Sequence, residues 1–224
     1  MKELDDLLAC FSFDIRPYLT KKTFEPGEVL IQEGEYLHHL FYVAKGRIKS
    51  HTTHANGKVS LIRFSEAPFF LGEMELLNPS MPARGATAIS TCTCFVIDTT
   101  KCGKQLLEDV KFLRHLCLYL SEKSFETVSH YSQSLAYPLE NRLAAFLLMA
   151  ARDGVYREKH TEAAEYLGVT YRHFLYVLAD FGKKGYIKKT PQGYILKNIP
   201  ALQALEDEIR PPEKETSIKR KPRT

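Results

Sequence analysis

The residues best placed to do chemistry lie on the stretch Thr170–Phe181 and just after it. Phe174, Val177, Leu178 and Phe181 recur at i, i+3, i+4 and i+7, the spacing of one inward helix face. Tyr171, Arg172, His173 and Tyr176 are left on the outward side near the N-terminal end. An arginine there can donate two parallel hydrogen bonds to a guanine edge, worth about 1–3 kcal/mol of discrimination. Tyrosine and histidine can donate to phosphates or stack on sugars. Lys183, Lys184, Lys188 and Lys189 surround the hairpin that follows. Their charge would grip a polyanion in a salt-dependent way without reading sequence.

A second set of residue types invites metal or redox chemistry. Cys92 and Cys94 alternate onto one strand face, Cys102 follows at a strand-to-helix junction, and Cys117 falls in a helical stretch. An iron–sulfur cluster needs four ligands, usually thiolates, converging on one point. Cys92, Cys94 and Cys102 could lie near one another, which keeps a cluster or a redox pair open. Two cysteines on one strand face are too far apart for comfortable bridging, so the plainer reading is small buried hydrophobes. His51 and His54 flank a hairpin, but i, i+3 spacing on a strand sends them to opposite faces. No carboxylate follows at ligand spacing, which leaves a cupin-like metalloenzyme as the weakest reading. His38 and His39 read as a solvated turn. No nucleophile–base pair, phosphate loop or paired-carboxylate site stands out, so no catalytic residue and no metal site is assigned.

The elements that must position these groups follow from composition and pattern. With 44% hydrophobic and 26% charged residues the chain is globular in composition, and 224 residues allow two domains. No run approaches the roughly 18 apolar residues of a membrane helix, and Met1-Lys-Glu-Leu-Asp-Asp lacks a signal-peptide pattern. Five cysteines without scaffold spacing fit a reducing compartment. A cytoplasmic protein with no membrane partner is expected. Residues 1–135 hold 15 Lys and Arg against 16 Asp and Glu, whereas 136–224 hold 16 against 11. The basic excess of the second part fits an anionic partner for that part alone.

From Thr23 to Asp98, short β-rich runs are cut by Pro26-Gly27, Gly34, Gly46, Asn56-Gly57, Pro68, Asn78-Pro79 and Pro82, the spacing of an antiparallel sandwich or roll. Asn56-Gly57 is the strongest hairpin signal, because both central residues of a tight turn must tolerate positive φ. Helical spacing then takes over: Leu113, Leu116/Cys117, Leu120, Val128, Tyr131 and Leu135 recur, with no Pro or Gly from Lys104 to Tyr137. Such a helix either lies across its own β domain or forms a dimer seam, and spacing does not choose. Pro138 opens a helix Leu139–Ala151 that Asp153-Gly154 closes. Two short helices, Thr161–Gly168 and Thr170–Phe181, follow around a turn in which Gly168 supplies positive φ and Thr170 a cap. A hairpin through Pro191-Gln192-Gly193 resembles a wing. The fold class is α+β. A β-roll (jelly-roll-like) domain spans 1–107, a long helix 108–137, a winged helix-turn-helix domain 138–210 and a basic tail, expected to be disordered, 211–224.

These motifs, in this order, resemble the CRP/FNR family of bacterial transcription regulators over nearly the whole chain. Phe24-Glu-Pro-Gly-Glu-Val-Leu-Ile-Gln-Glu-Gly and Leu40-Phe-Tyr-Val-Ala-Lys-Gly-Arg are similar to its β-roll signatures, and Phe69-Phe-Leu-Gly-Glu-Met-Glu-Leu-Leu to the stretch before its effector pocket. Pro138–Leu148 and Thr161–Leu178 resemble its DNA-binding helices, and Thr170–Phe181 resembles the YeiL-like branch. The resemblance implies a homodimer through Leu113, Cys117, Leu120, Val128 and Tyr131, reading a palindromic double-stranded DNA operator and acting on RNA polymerase, as an activator or a repressor. It assigns bases to Tyr171, Arg172 and Tyr176, and phosphates to Thr170 and His173. Better-known branches carry Arg and Glu at the positions of Tyr171 and Arg172, so the operator should differ. Lys188 and Lys189 would flank it on the wing.

Cyclic-nucleotide-binding members hold ribose and phosphate with a Gly-Glu pair and an Arg followed by Ser or Thr. This chain has Gly72, Glu73 and Arg84, but Gly85 follows Arg84 and the loop Met74–Ala83 is one residue longer than in a cAMP-binding member. That argues against a cyclic nucleotide and leaves the effector unidentified, or unnecessary. The alternative of a different class is a ligand-sensing module whose winged helix binds a protein.

Overall fold

The computed structural model describes residues 2–57 and 59–209; the basic tail 211–224 lies outside them. Two compact units divide between Val128 and Ser129. That division falls within the long helical segment expected over 108–137, not at either of its ends.

The N-terminal unit begins with α1 (Lys2–Leu8) and continues through β1 (Leu19–Phe24), β2 (Val29–Ile31), β3 (His39–Lys45), β4 (Arg47–Thr53), β5 (Val59–Glu66) and β6 (Phe69–Leu71). After α2 (Glu73–Leu77) come β7 (Gly85–Ala88), β8 (Cys92–Asp98), α3 (Thr99–Glu108) and α4 (Val110–Ala136), whose last turns belong to the second unit. The strands form two four-stranded antiparallel sheets, ordered β1-β8-β3-β6 and β2-β7-β4-β5. β3 reads as an unbroken apolar run because both of its faces are covered. Leu40, Tyr42 and Ala44 join Leu7, Phe11, Ile97, Cys102, Leu106, Phe112 and Leu116 in one core cluster. Phe41 and Val43 join Ile31, Ile48, Ala86, Ala88, Cys92, Cys94 and Val96 in the other.

Two local expectations change. The Asn56-Gly57 turn is not a two-residue turn with both φ positive: Gly57 alone is at φ +78°, within a longer loop that begins at His54. The left-handed pair occurs instead at Asp153 (φ 49°) and Gly154 (φ 71°), where Arg152 and Val155 exchange backbone hydrogen bonds at 2.9 and 2.8 Å. The helical segment expected over 108–137 is interrupted at Asp109, where α3 ends and α4 begins. One Asp109 oxygen accepts from the Lys111 and Phe112 N–H groups at 3.0 and 3.4 Å, and the other from the Ser12 N–H at 2.7 Å. An aspartate bonding its own downstream backbone ends one helix and starts the next, a signal that a search for Pro and Gly passes over.

The C-terminal unit contains α5 (Leu139–Ala150), β9 (Val155–Tyr156), α6 (His160–Tyr166), α7 (Tyr171–Lys183), β10 (Ile187–Thr190), β11 (Gly193–Leu196) and α8 (Ile199–Asp207). Its three strands pair antiparallel in the order β10-β11-β9. Phe146, Leu147, Tyr156, Phe174, Val177, Leu178 and Phe181 are buried among its helices and strands.

Candidate nucleic-acid interface and ligand pocket

On α7 the inward stripe Phe174, Val177, Leu178 and Phe181 is almost wholly buried, which turns Tyr171, Arg172, His173 and Tyr176 to solvent. Tyr171 is 48% and Tyr176 74% exposed. Gly168 sits at φ +64° in the turn before it. The Thr170 hydroxyl accepts from the His173 N–H at 3.2 Å and so caps the helix whose N-terminal end carries the candidate contacts. Lys188 and Lys189 are exposed on β10, an edge strand. Arg142, which sequence reading passed over, donates from Nη1 to the Leu167 carbonyl at 2.5 Å and so braces the turn between α6 and α7. Buried Asn141 ties α5 to α8 through the Leu205 carbonyl at 3.0 Å and Glu208 at 2.8 Å. The basic excess of this part needs redistribution: residues 136–209 carry 10 Lys and Arg against 9 Asp and Glu, and most of the surplus falls in 210–224.

α4 carries a long apolar face. Leu118, Phe125, Val128, Tyr131 and Leu135 are 60–73% exposed, at steps of seven, three, three and four. The residues that the resemblance gives to a seam differ in exposure at the N-terminal end of α4. Leu116 is buried in its own core, Leu120 packs against that core and Leu113 is half-buried, whereas Cys117 is exposed. The exposed face runs one position over, through Leu118 and Phe125.

The cysteines do not converge. Cys92 and Cys94 lie in the core cluster between the two sheets, whereas Cys102 and Cys10 lie in the cluster on the other side of β8 and β3. No group of three metal-ligating side chains forms among the described residues. Burial pushes the Cys94 thiol to about 12 and Cys102 to about 11. The Cys92 and Cys102 thiols donate to the backbone carbonyls of Ser90 and Asp98, both at 3.2 Å. Such protonated thiols are poor nucleophiles, and Cys102 sits in a different cluster from Cys92 and Cys94. His54 pairs with Ser60 at 2.8 Å, and His51 lies against Gly85 instead of beside His54.

Around Glu73 the residues converge closely. Its carboxylate, 1% exposed, meets the Lys123 ammonium of α4 at 2.5 Å. Four residues before Lys123, the Tyr119 hydroxyl donates to the Phe70 carbonyl at 3.0 Å. Burial pushes the Tyr119 hydroxyl well above its ordinary range, keeping it a donor. Three residues after Lys123, Glu126 pairs with Arg63 of β5. Arg84, grouped with Glu73 on sequence grounds, is exposed.

The comparisons with known proteins agree with this division. A cyclic nucleotide-binding domain model matches residues 21–109, and a Crp-like helix-turn-helix domain model matches residues 141–205. The chain is 42% identical over 205 residues to Regulatory protein YeiL of Escherichia coli O157:H7, covering 92% of this chain and 94% of that protein. In fold it is similar to a CRP/FNR-family transcriptional regulator of Thermus thermophilus, with a TM-score of 0.70 at 20% identity, over 84% of this chain and 98% of that one. It is also similar to a crp/fnr-family regulator of Eubacterium rectale, with a TM-score of 0.74 at 14% identity, over 86% and 92%. The domain model raises the question of a cyclic nucleotide, and the residues present do not fit one. The acid that would take the ribose is already paired, and the position after Arg84 has no hydroxyl.

Proposed function

The chain belongs to the CRP/FNR family of transcription regulators, on its YeiL-like branch, and from that premise we propose that it binds a palindromic DNA operator as a homodimer in the cytoplasm. The family and this relative are regulators, not enzymes. The observation that carries the proposal is the exposed row Tyr171, Arg172, His173 and Tyr176 on a capped helix over an apolar stripe. In this reading Arg172 reads a guanine, the two tyrosines read neighbouring base edges, and Thr170 and His173 hold phosphates. Lys188 and Lys189 contact the flanking backbone. The apolar face of α4 at Leu118, Phe125, Val128 and Tyr131 meets its copy, which sets two recognition helices one turn of DNA apart. Bound there, the protein recruits or blocks RNA polymerase.

Selection from a random DNA pool with purified, reduced protein tests this. The expected product is a palindrome with half-sites about 10 base pairs apart. On that site Arg172→Ala should cost about 1–3 kcal/mol for the preferred base pair and little for non-specific DNA. Lys188→Ala should weaken all DNA evenly and lower the salt slope by about 1. Equal loss on every sequence for Arg172→Ala would remove the base contact. Salt-insensitive capture of a protein instead of DNA would favour the other reading of the winged helix.

A further inference from the structure

The acid that the family resemblance assigns to an effector is taken up by the chain's own side chains. Glu73 is buried at the start of α2, and Lys123, fifty residues away in sequence, ends on its carboxylate. Tyr119, Lys123 and Glu126 fall at i, i+4 and i+7 and so share one face of α4. That face meets Phe70 of β6, Glu73 of α2 and Arg63 of β5, all in the N-terminal unit. The Lys123 ammonium also lies 5.7 Å from the centre of the Tyr119 ring, within reach of a cation–π attraction. In the second sheet, β4 pairs with β7 and sets His51 opposite Gly85. A Cβ placed on Gly85 would come within 2.9 Å of three atoms of the His51 ring. A larger side chain at Gly85 would have to push the His51 ring aside, and the Gly85 φ is not in the left-handed region.

A cyclic nucleotide whose ribose took the Glu73 carboxylate would have to separate it from Lys123. Removing one partner from a buried ion pair leaves an uncompensated charge, which is strongly unfavourable. We propose that this domain excludes cyclic nucleotides and that Lys123 acts as a tethered substitute for a ligand. With the Tyr119 and Glu126 contacts it holds α4 on the β-roll, so that the operator-binding form is reached with no small-molecule effector. The last clause rests on the DNA-binding reading above; the exclusion and the tether do not.

The full chain, extensively dialysed, is titrated calorimetrically with cAMP and with cGMP to about 1 mM, the weak end of ligand affinities. No saturable binding is expected, and saturable binding of either overturns the exclusion. Hydrogen exchange is then compared among the native chain, Lys123→Met and Lys123→Arg. Lys123→Met should speed exchange across 69–77 and 115–126 by about tenfold or more while the C-terminal unit keeps its protection. Lys123→Arg, which keeps the charge, should retain most of the protection. Unchanged exchange in Lys123→Met, or equal loss in Lys123→Arg, overturns the tether. Operator affinity of the dialysed protein, measured separately, should fall in Lys123→Met and be unchanged by added nucleotide. If the dialysed protein selects no operator while the titration and exchange results hold, the effector-independent clause is overturned and the exclusion and the tether stand.

Discussion

In the C-terminal unit the polar side chains of α7 stand exposed over a buried apolar stripe, whereas in the N-terminal unit the charged side chains around Glu73 are turned onto one another. Tyr176 is 74% exposed and Glu73 1%. The first arrangement keeps donors free for an outside partner at little cost in solvation. The second removes the Glu73 carboxylate from water, which is tolerable only because the Lys123 ammonium of another element pairs with it. A surface meant for recognition is therefore built within one helix and its cap, while an internally satisfied pocket needs residues brought together from distant strands and helices.

The contrast is broken most sharply by deleting the support under α7. Phe174 is fully buried, and Phe174→Ala should destabilise the C-terminal unit by about 3–5 kcal/mol. Denaturant unfolding followed by hydrogen exchange should show the loss in residues 139–209 and leave the β-roll core at native stability. Equal loss in both units would mean that they do not unfold separately.

The next largest effect concerns the crowded glycine of the β-roll. Gly85→Ser should cost about 1–3 kcal/mol by overpacking against the His51 ring. His51→Ala should relieve most of that cost, so the double variant will be more stable than the sum of the single changes allows. Additive behaviour in thermal unfolding would show that the ring moves aside freely.

A smaller change separates positioning from contact on α7. Thr170→Ala removes the cap and should cost about 1 kcal/mol of stability. Thr170→Asn, which can still cap, should restore most of the stability. If Thr170 also holds a phosphate, operator affinity in Thr170→Asn will stay below native when stability has returned.

The smallest effect is the order in which the two units respond to acid. Burial lowers the His160 imidazole below its ordinary 6.5, with nearby Lys189 adding to the shift, and burial lowers His130 as well, with Arg142 adding. The unfolded chain takes up protons near pH 6.5 while the folded C-terminal unit does not. That unit is therefore at full stability above 6.5 and loses it as the pH falls toward the depressed folded values. In the N-terminal unit, burial raises the Asp109 carboxyl, but the Ser12, Phe112 and Lys111 N–H groups outweigh it and set it below 3.8. Its contribution is kept above 3.8 and lost only under stronger acid. Unfolding monitored unit by unit from pH 7 to pH 3 should show the C-terminal unit weakening first.

Much of the C-terminal unit was legible because its signals are local. The i, i+3, i+4, i+7 stripe of α7, the Gly168 turn and the Thr170 cap each involve residues a few positions apart, and each appears where the spacing puts it. β9 was not legible: two residues, Val155 and Tyr156, form a strand only because β11 lies beside them. The Arg142 brace on the Leu167 carbonyl spans 25 residues and leaves no pattern in the sequence. Along α4, apolar spacing was visible, but which of two adjacent stripes packs on the β-roll was not. Leu116 and Leu120 pack on the core of the β-roll, whereas Leu118 and Phe125 face outward, a choice made by the tertiary packing. The cysteines followed the same rule: alternation on β8 was readable, but the sheet that separates Cys92 and Cys94 from Cys102 was not.

What the amino-acid order determined by itself is whatever depends on period and on neighbours: the alternating and helical stretches, the turns at Gly168 and Gly57, the cap at Thr170 and the outward face of α7. Tertiary structure alone decided the partners of Glu73, the ring that occupies the space over Gly85 and the seating of Cys94 between the sheets. These depend on where the chain returns in space after 34 to 51 residues. Hydrophobic period carries the first kind of information, whereas burial and long-range charge pairing are properties of the closed fold, where a carboxylate finds its ammonium only after both sheets and α4 have assembled.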